Sequence, residues 1–265
     1  MTSAEPVSFV LVSTNAPPDP VQVIKAATQL GVGLAHEMGD PDTLNFRIET
    51  GGTLIVALLP IPHPDAAHMP VGPTSPEPET IAHHVGHYIV TAFDLPDDPL
   101  QTEVTMSIVT AALVQCSPAV AAKLGDGAIF HRADFFATVV ETANGGIATE
   151  ITVDITAAQE SADRMSFLTH GLSKYDREEF YITSSTTETG VLEYLMELVR
   201  WIVTDPDKVL PTGDTVGPTA EKQVVVQRVP SPIEGKPPVI RLDMDTSKTV
   251  NPPPRTKKKG WFRRS

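Results

Sequence analysis

The sequence predicts an α+β fold: a mixed or largely antiparallel sheet covered by helices. Three observations predict it. Strand-like segments come in hairpin pairs, at 45–59 and 164–183, rather than alternating singly with helices. Apolar residues recur at helical spacing over 100–115, 134–142 and 186–203. Across 265 residues, 41% are hydrophobic, enough to bury a substantial core. The two hairpins leave open a division into two β-α-β-β halves.

Taken in order, residues 8–13 (SFVLVS) read as a first strand. Residues 20–30 read as a helix with Val21, Ile24, Ala27 and Leu30 along one face, stopped by Gly31 and Gly33. Residues 45–49 and 53–59 form a hairpin through Gly51-Gly52, a pair suited to the positive backbone angles of a two-residue turn. Both alternate faces of TLIVALL (53–59) are apolar, as expected of a strand covered on both sides. From Pro60 to Thr80, seven of 21 residues are proline, which marks a long irregular connection, and such connections usually border a site or are disordered. IAHHVGHYIVTAF (81–93) reads as a strand.

Helix is expected at 100–115, and a second short helix from Ser117 as N-cap and Pro118 as first residue to Gly125. A brief strand or turn at 127–131 precedes a helix at 134–142, which Asn144-Gly145-Gly146 ends. Thr149, Ile151, Val153 and Ile155 alternate with Glu150, Thr152 and Asp154 as in a half-exposed strand, leading into the 164–183 hairpin. The last helix, 186–203, has a capping-box match at Ser185 and Glu188 and an apolar stripe through Val191, Leu195, Leu198 and Ile202. A short strand pair at 222–244 closes a single domain spanning 1–244. Residues 245–265 are expected to be a disordered basic tail.

The central hairpin holds the most distinctive motif: Thr169, Gly171 and Leu172, then Tyr175, then Glu179 and Ile182. This pattern resembles an uncharacterised, mainly bacterial family, catalogued as a domain of unknown function. Its members carry Thr-x-Gly-Leu, an aromatic residue three positions on, and a Glu before a strand. Pro60-Ile61-Pro62 resembles that family's Pro-Ile-Pro, and Gly86-His87 before Tyr88-Ile89-Val90 resembles its Ala-His-hydrophobic strand. Asp176 departs from the family, which has Gly after the aromatic residue. The resemblance covers roughly residues 8–244 and implies a family without an established activity.

Charge narrows the partners. The net charge is -13, yet the last fifteen residues hold six of the twenty Lys and Arg and no acid. Setting those six aside leaves fourteen basic against 33 acidic residues, a net of -19. Such a body repels nucleic acid and anionic membranes, so no specific nucleic-acid partner is expected. The KKKGWFRRS end suits at most weak contact with an anionic surface, at about 1 kcal/mol per cation. One cysteine, Cys116, excludes an intramolecular disulfide framework. The uncharged run 104–122 is broken by Thr, Ser, Gln and Pro and reads as buried helix, so no transmembrane segment is expected and the cytoplasm is the default location.

Two sets of residues are candidates for chemistry. His83 and His87 share a face whether the segment is strand or helix, with His63, His68 and His84 nearby, and are the candidate metal ligands. The competing reading makes His87 a hydrogen-bonded core residue and the others surface residues. His170 with Glu178 and Glu179 offers a candidate acid and base, and His170 and Glu179 are the candidate catalytic residues. The competing reading gives Gly171 a special backbone angle and Glu179 a capping role. If His83 or His87 acts with His170, the strands carrying them must be neighbours. No phosphate loop, dinucleotide fingerprint or Gly-x-Ser-x-Gly is present, and no cofactor is indicated. Two functions remain: a cytosolic module binding a protein or small molecule, or a metal-dependent or His/Glu-based hydrolase.

Overall fold

The computed structural model describes residues 6–38, 43–125, 127–205, 207–219, 222–246 and 248–249. The chain begins with β1 (Val7–Val12), α1 (Pro20–Gln29), β2 (Leu34–Glu37), β3 (Thr43–Ile48) and β4 (Thr53–Leu59). After the proline-rich connection come α2 (Pro78–Ala82), β5 (Gly86–Phe93), α3 (Pro99–Gln115), β6 (Ala119–Leu124), β7 (His131–Arg132) and α4 (Ala133–Ala143). Among the described residues these strands form one antiparallel sheet in the order β2-β3-β4-β5-β1-β6-β7.

One face of this sheet carries Val10, Val12, Phe46, Leu54, Val56, Tyr88 and Val90 into a core with α1, α3 and α4. Because α3 is buried along most of its length, its hydroxyls need internal partners. Ser107 Oγ donates to Glu103 O, Thr110 Oγ1 donates to Met106 O, and Ser8 Oγ lies 2.6 Å from Thr110 Oγ1. The other face is covered in part by the proline-rich connection. There Leu11, Ala66, Ile81, Ala121 and Phe130 form a smaller cluster.

The second half contains α5 (Thr149–Thr152), β8 (Asp154–Ser161), β9 (Arg164–His170), β10 (Phe180–Ser185), α6 (Val191–Thr204), β11 (Thr215–Val216), β12 (Lys222–Val225), β13 (Gln227–Val229), β14 (Val239–Asp243) and β15 (Lys248–Thr249). A sheet of order β13-β14-β10-β9-β8 is antiparallel except where β10 runs parallel to β14. Leu195, Leu198, Val199 and Ile202 of α6 pack with Phe180, Ile182 and Leu242 into a second core, and Ile147 touches both cores. The α+β class holds. The halves are not repeats, however: the first opens β-α-β-β, whereas the second runs three strands before its long helix.

Several local expectations are corrected. Residues 119–124 are strand rather than helix, because β6 pairs with β1, and Ser117 Oγ donates back to Leu113 O instead of capping a new helix. Thr149–Thr152 is a helical turn, although its alternation reads as strand. The capping box at Ser185 and Glu188 does not form: Ser185 ends β10, and α6 begins after Gly190, which has φ 78°. On α1 the buried residues are Val23, Ala26 and Ala27, and Val21 is exposed. The 81–93 segment divides into the end of α2 and the strand β5.

The described fold also runs past Met244. Asp245 pairs with Arg164 and accepts from Ser185 N, and β15 pairs with β12. Residue 247 and residues 250–265, the rest of the expected basic tail, lie outside the described residues. No helix among the described residues is long and apolar enough to cross a membrane.

Candidate functional site

The Thr169–Glu179 turn is held together from within. Glu179 Oε1 accepts from Gly171 N and Leu172 N at 2.9 Å each and from Ser173 N at 3.4 Å; its Oε2 accepts from Thr169 Oγ1 at 2.6 Å. Thr169 Oγ1 in turn accepts from Phe180 N. One carboxylate thus satisfies the free N–H groups that open a short 3₁₀ turn, Leu172–Tyr175. Gly171 has φ 112°, and a Cβ there would lie 2.9 Å from Thr152 O, so both angle and space call for glycine. Asp176, at the position where the resembled pattern has Gly, takes φ 57°, a left-handed angle that Asp tolerates better than most residues. Leu172 is fully buried, and burial pushes the Tyr175 phenol well above its usual range.

His170 lies beside this turn, with Nε2 2.8 Å from Thr156 Oγ1. Burial pulls its pKa below the ordinary value, against the raising influence of Glu179 and Asp154. The four lone-pair positions of Glu179 that a proton or ligand needs are largely taken by the turn.

The histidines of the first sheet do not gather as the sequence spacing suggests. His83 sits exposed at the end of α2, its Nδ1 2.7 Å from Glu79 O, while His87 is buried in β5 and donates from Nδ1 to Ile61 O at 3.0 Å. That bond ties the Pro60-Ile61-Pro62 segment to β5. His87 packs instead with His63, ring centroids 5.0 Å apart. His84 Nδ1 bonds Ile81 O and its Nε2 accepts from His63 N at 2.7 Å. Burial lowers the pKa of both His63 and His87. His170 belongs to the other sheet, so the neighbouring-strand condition for joint action with His83 or His87 is not met. Among the described residues no group of three or more His, Cys, Asp or Glu side chains is placed to hold a metal ion.

A different constellation forms where the proline-rich connection meets both sheets. His131 Nε2 lies 2.9 Å from Asp154 Oδ1, and His131 Nδ1 lies 2.7 Å from Thr74 Oγ1. Asp154 Oδ2 accepts from Ala128 N and, at 3.2 Å, from Ile129 N. His131 and Asp154 are 1% and 3% exposed, so this is a sealed polar chain in which every link has a partner. Since a carboxylate only accepts, Nε2 donates to Asp154, and in the tautomer with its proton there Nδ1 is the atom that accepts from the Thr74 hydroxyl. Phe135 stacks on His131, ring centroids 5.9 Å apart.

Thr74, His131 and Phe135 border a cleft of about 340 Å³ whose other walls include Val153, Ile155, Leu192 and Met196. Glu150 and Arg200 form an ion pair on its wall, and Glu193 and Glu197 stand along α6 at its rim. A second cavity, about 410 Å³ and more polar, runs beside the Thr169–Glu179 turn. Sequence reading missed Thr74, His131 and Asp154. They are separated by 57 and 23 residues, and Asp154 reads as the outward side of an alternating strand. The one available signal was the long proline-rich connection itself, which does border a cavity.

The chain matches no family model, no curated protein and no solved structure.

Proposed function

We propose that the protein is a binding module whose ligand occupies the cleft between α6 and the β7–α4 corner. The observation that carries this reading is the cleft's composition: an apolar interior of Phe135, Val153, Ile155, Leu192 and Met196 with a few convergent polar groups, the usual make-up of a small-molecule site. Its rim carries Glu193 and Glu197, so a neutral or cationic ligand with an apolar body suits it better than an anion. A protein side chain of the same chemistry is the equivalent partner. The hydrolase alternative built on His83, His87 and His170 lacks a common setting for those residues. The Glu179 carboxylate is engaged by its own turn, which favours a structural role there. A reducing, cytoplasmic setting agrees with a chain whose single cysteine, Cys116, is unpaired.

Titration with Nile red, a neutral apolar dye, tests the cleft. Met196 lies half-buried on the cleft wall, so Met196→Glu places a charge in the site without opening the core. Dye affinity should fall about tenfold or more, equivalent to about 1.4 kcal/mol, with the thermal midpoint nearly unchanged. Equal affinity in the two proteins would remove the cleft as the binding site.

A further inference from the structure

We propose that Thr74 is an acyl-accepting nucleophile, with His131 as its base and Asp154 as the residue that positions His131, so that the cleft hydrolyses small uncharged or cationic carboxylic esters. The proposal rests on the ligand cleft of the preceding subsection and adds a reaction to it.

Four observations bear on it. Thr74 is half-buried and lines the cleft. His131 is almost fully buried, and the Phe135 ring lies along one of its faces, so little water competes for Nδ1. Asp154 is held by two backbone N–H groups on one oxygen and bonds His131 with the other, which fixes the ring and its tautomer. Nucleophile, base and orienting group therefore lie within hydrogen-bond reach of one another in the order that nucleophilic catalysis requires. A clamp that only joined the proline-rich connection to the sheets has no need to end at an open cavity. Arg132 N already donates to Thr74 O at 2.9 Å and secures that segment through the backbone.

In the first step Thr74 Oγ attacks the ester carbonyl carbon and its proton passes to His131 Nδ1. The carbonyl–alkoxy bond then breaks, the leaving oxygen takes that proton from Nδ1, and an alcohol departs from an acyl-threonine. Water adds to the acyl carbon and gives a proton to Nδ1. Collapse of the adduct breaks the bond to Thr74 Oγ, which recovers the proton as the carboxylic acid leaves. Ester and water are converted to acid and alcohol, and the protein returns to its starting state.

The test uses the full chain, p-nitrophenyl butyrate as substrate and an alkyl fluorophosphonate as covalent probe, with Nile red binding measured in parallel. Hydrolysis above the buffer rate is expected, together with a fluorophosphonate adduct that peptide mass spectrometry places on Thr74. Thr74→Val, which keeps the side-chain shape and removes the hydroxyl, should lower hydrolysis about a hundredfold or more and abolish the adduct. Thr74→Ser should retain both and supplies the comparison if the valine variant does not fold. Nile red binding without hydrolysis, an adduct on another residue, or equal rates in wild type and Thr74→Val would overturn the proposal while leaving the binding cleft standing. Wild-type protein that neither binds the dye nor hydrolyses the ester would overturn both.

Discussion

Two carboxylates, Glu179 and Asp154, solve similar problems in different parts of the molecule. Each accepts from backbone N–H groups and from one side chain, a hydroxyl for Glu179 and an imidazole for Asp154. Glu179 reaches only ten residues back, and its bonds close a turn on itself. Asp154 joins segments 23 to 26 residues away, and the chain of bonds continues through His131 to a hydroxyl at a cavity. The first arrangement uses up its hydrogen-bonding capacity locally. The second ends in a group that can meet a ligand, which makes it the better candidate for function even though the turn is the more conspicuous motif.

The largest expected effect separates the two carboxylates directly. Asp154→Ala leaves His131 Nε2 and the N–H groups of Ala128 and Ile129 without partners in a nearly sealed site and should cost about 3–5 kcal/mol. Glu179→Ala acts at a half-buried turn where water can replace some of the lost bonds, and should cost about 2–3 kcal/mol. Urea unfolding of both variants measures the difference, and a larger loss at Glu179 would reverse the comparison.

Within the turn, Gly171→Val should cost about 1–3 kcal/mol. A β-branched residue fits φ 112° poorly, and its Cβ would meet Thr152 O. Gly51, with the same φ and nothing within 4 Å of a Cβ, is the control: Gly51→Val isolates the angle, and any excess at Gly171 measures the contact. Equal unfolding midpoints for the two variants would show that the close approach to Thr152 contributes nothing.

The smallest effect is a pH dependence. His63, His87 and His170 all have pKa values lowered by burial from the ordinary 6.5. Their neutral forms favour the fold, so the unfolded chain binds more protons as pH falls. The stability they contribute is fully present above pH 6.5 and is lost as pH drops from there through the lowered folded values. In His87→Asn, whose amide can still donate toward Ile61 O, the loss of thermal midpoint between pH 7.5 and pH 5, both about one to two units from 6.5, should be smaller than in wild type. Parallel curves would exclude His87 from that dependence.

The turn was legible because its determinants are close in sequence. A glycine needed for a positive φ, a threonine and a glutamate within eleven residues act on one another through local geometry, so their chemistry can be read from spacing. The same holds for the Gly51-Gly52 hairpin and the apolar stripe of α6, whose Leu195, Leu198 and Ile202 are all buried. Residues 119–124 were misread for the opposite reason. Ser-Pro is a sound local helix start, but pairing with β1 supplies backbone bonds that local propensity does not register.

By itself, then, the amino-acid sequence determined the α+β class, the hairpins and a glycine-dependent turn, because alternation, turn angles and capping act over a few residues. Only the tertiary structure decided which histidines matter to one another. It separated His83 from His87, paired His87 with His63, and brought His131 between Thr74 and Asp154. Such meetings depend on how two sheets and a long connection pack, and side chains joined by packing leave no periodicity in the chain that carries them.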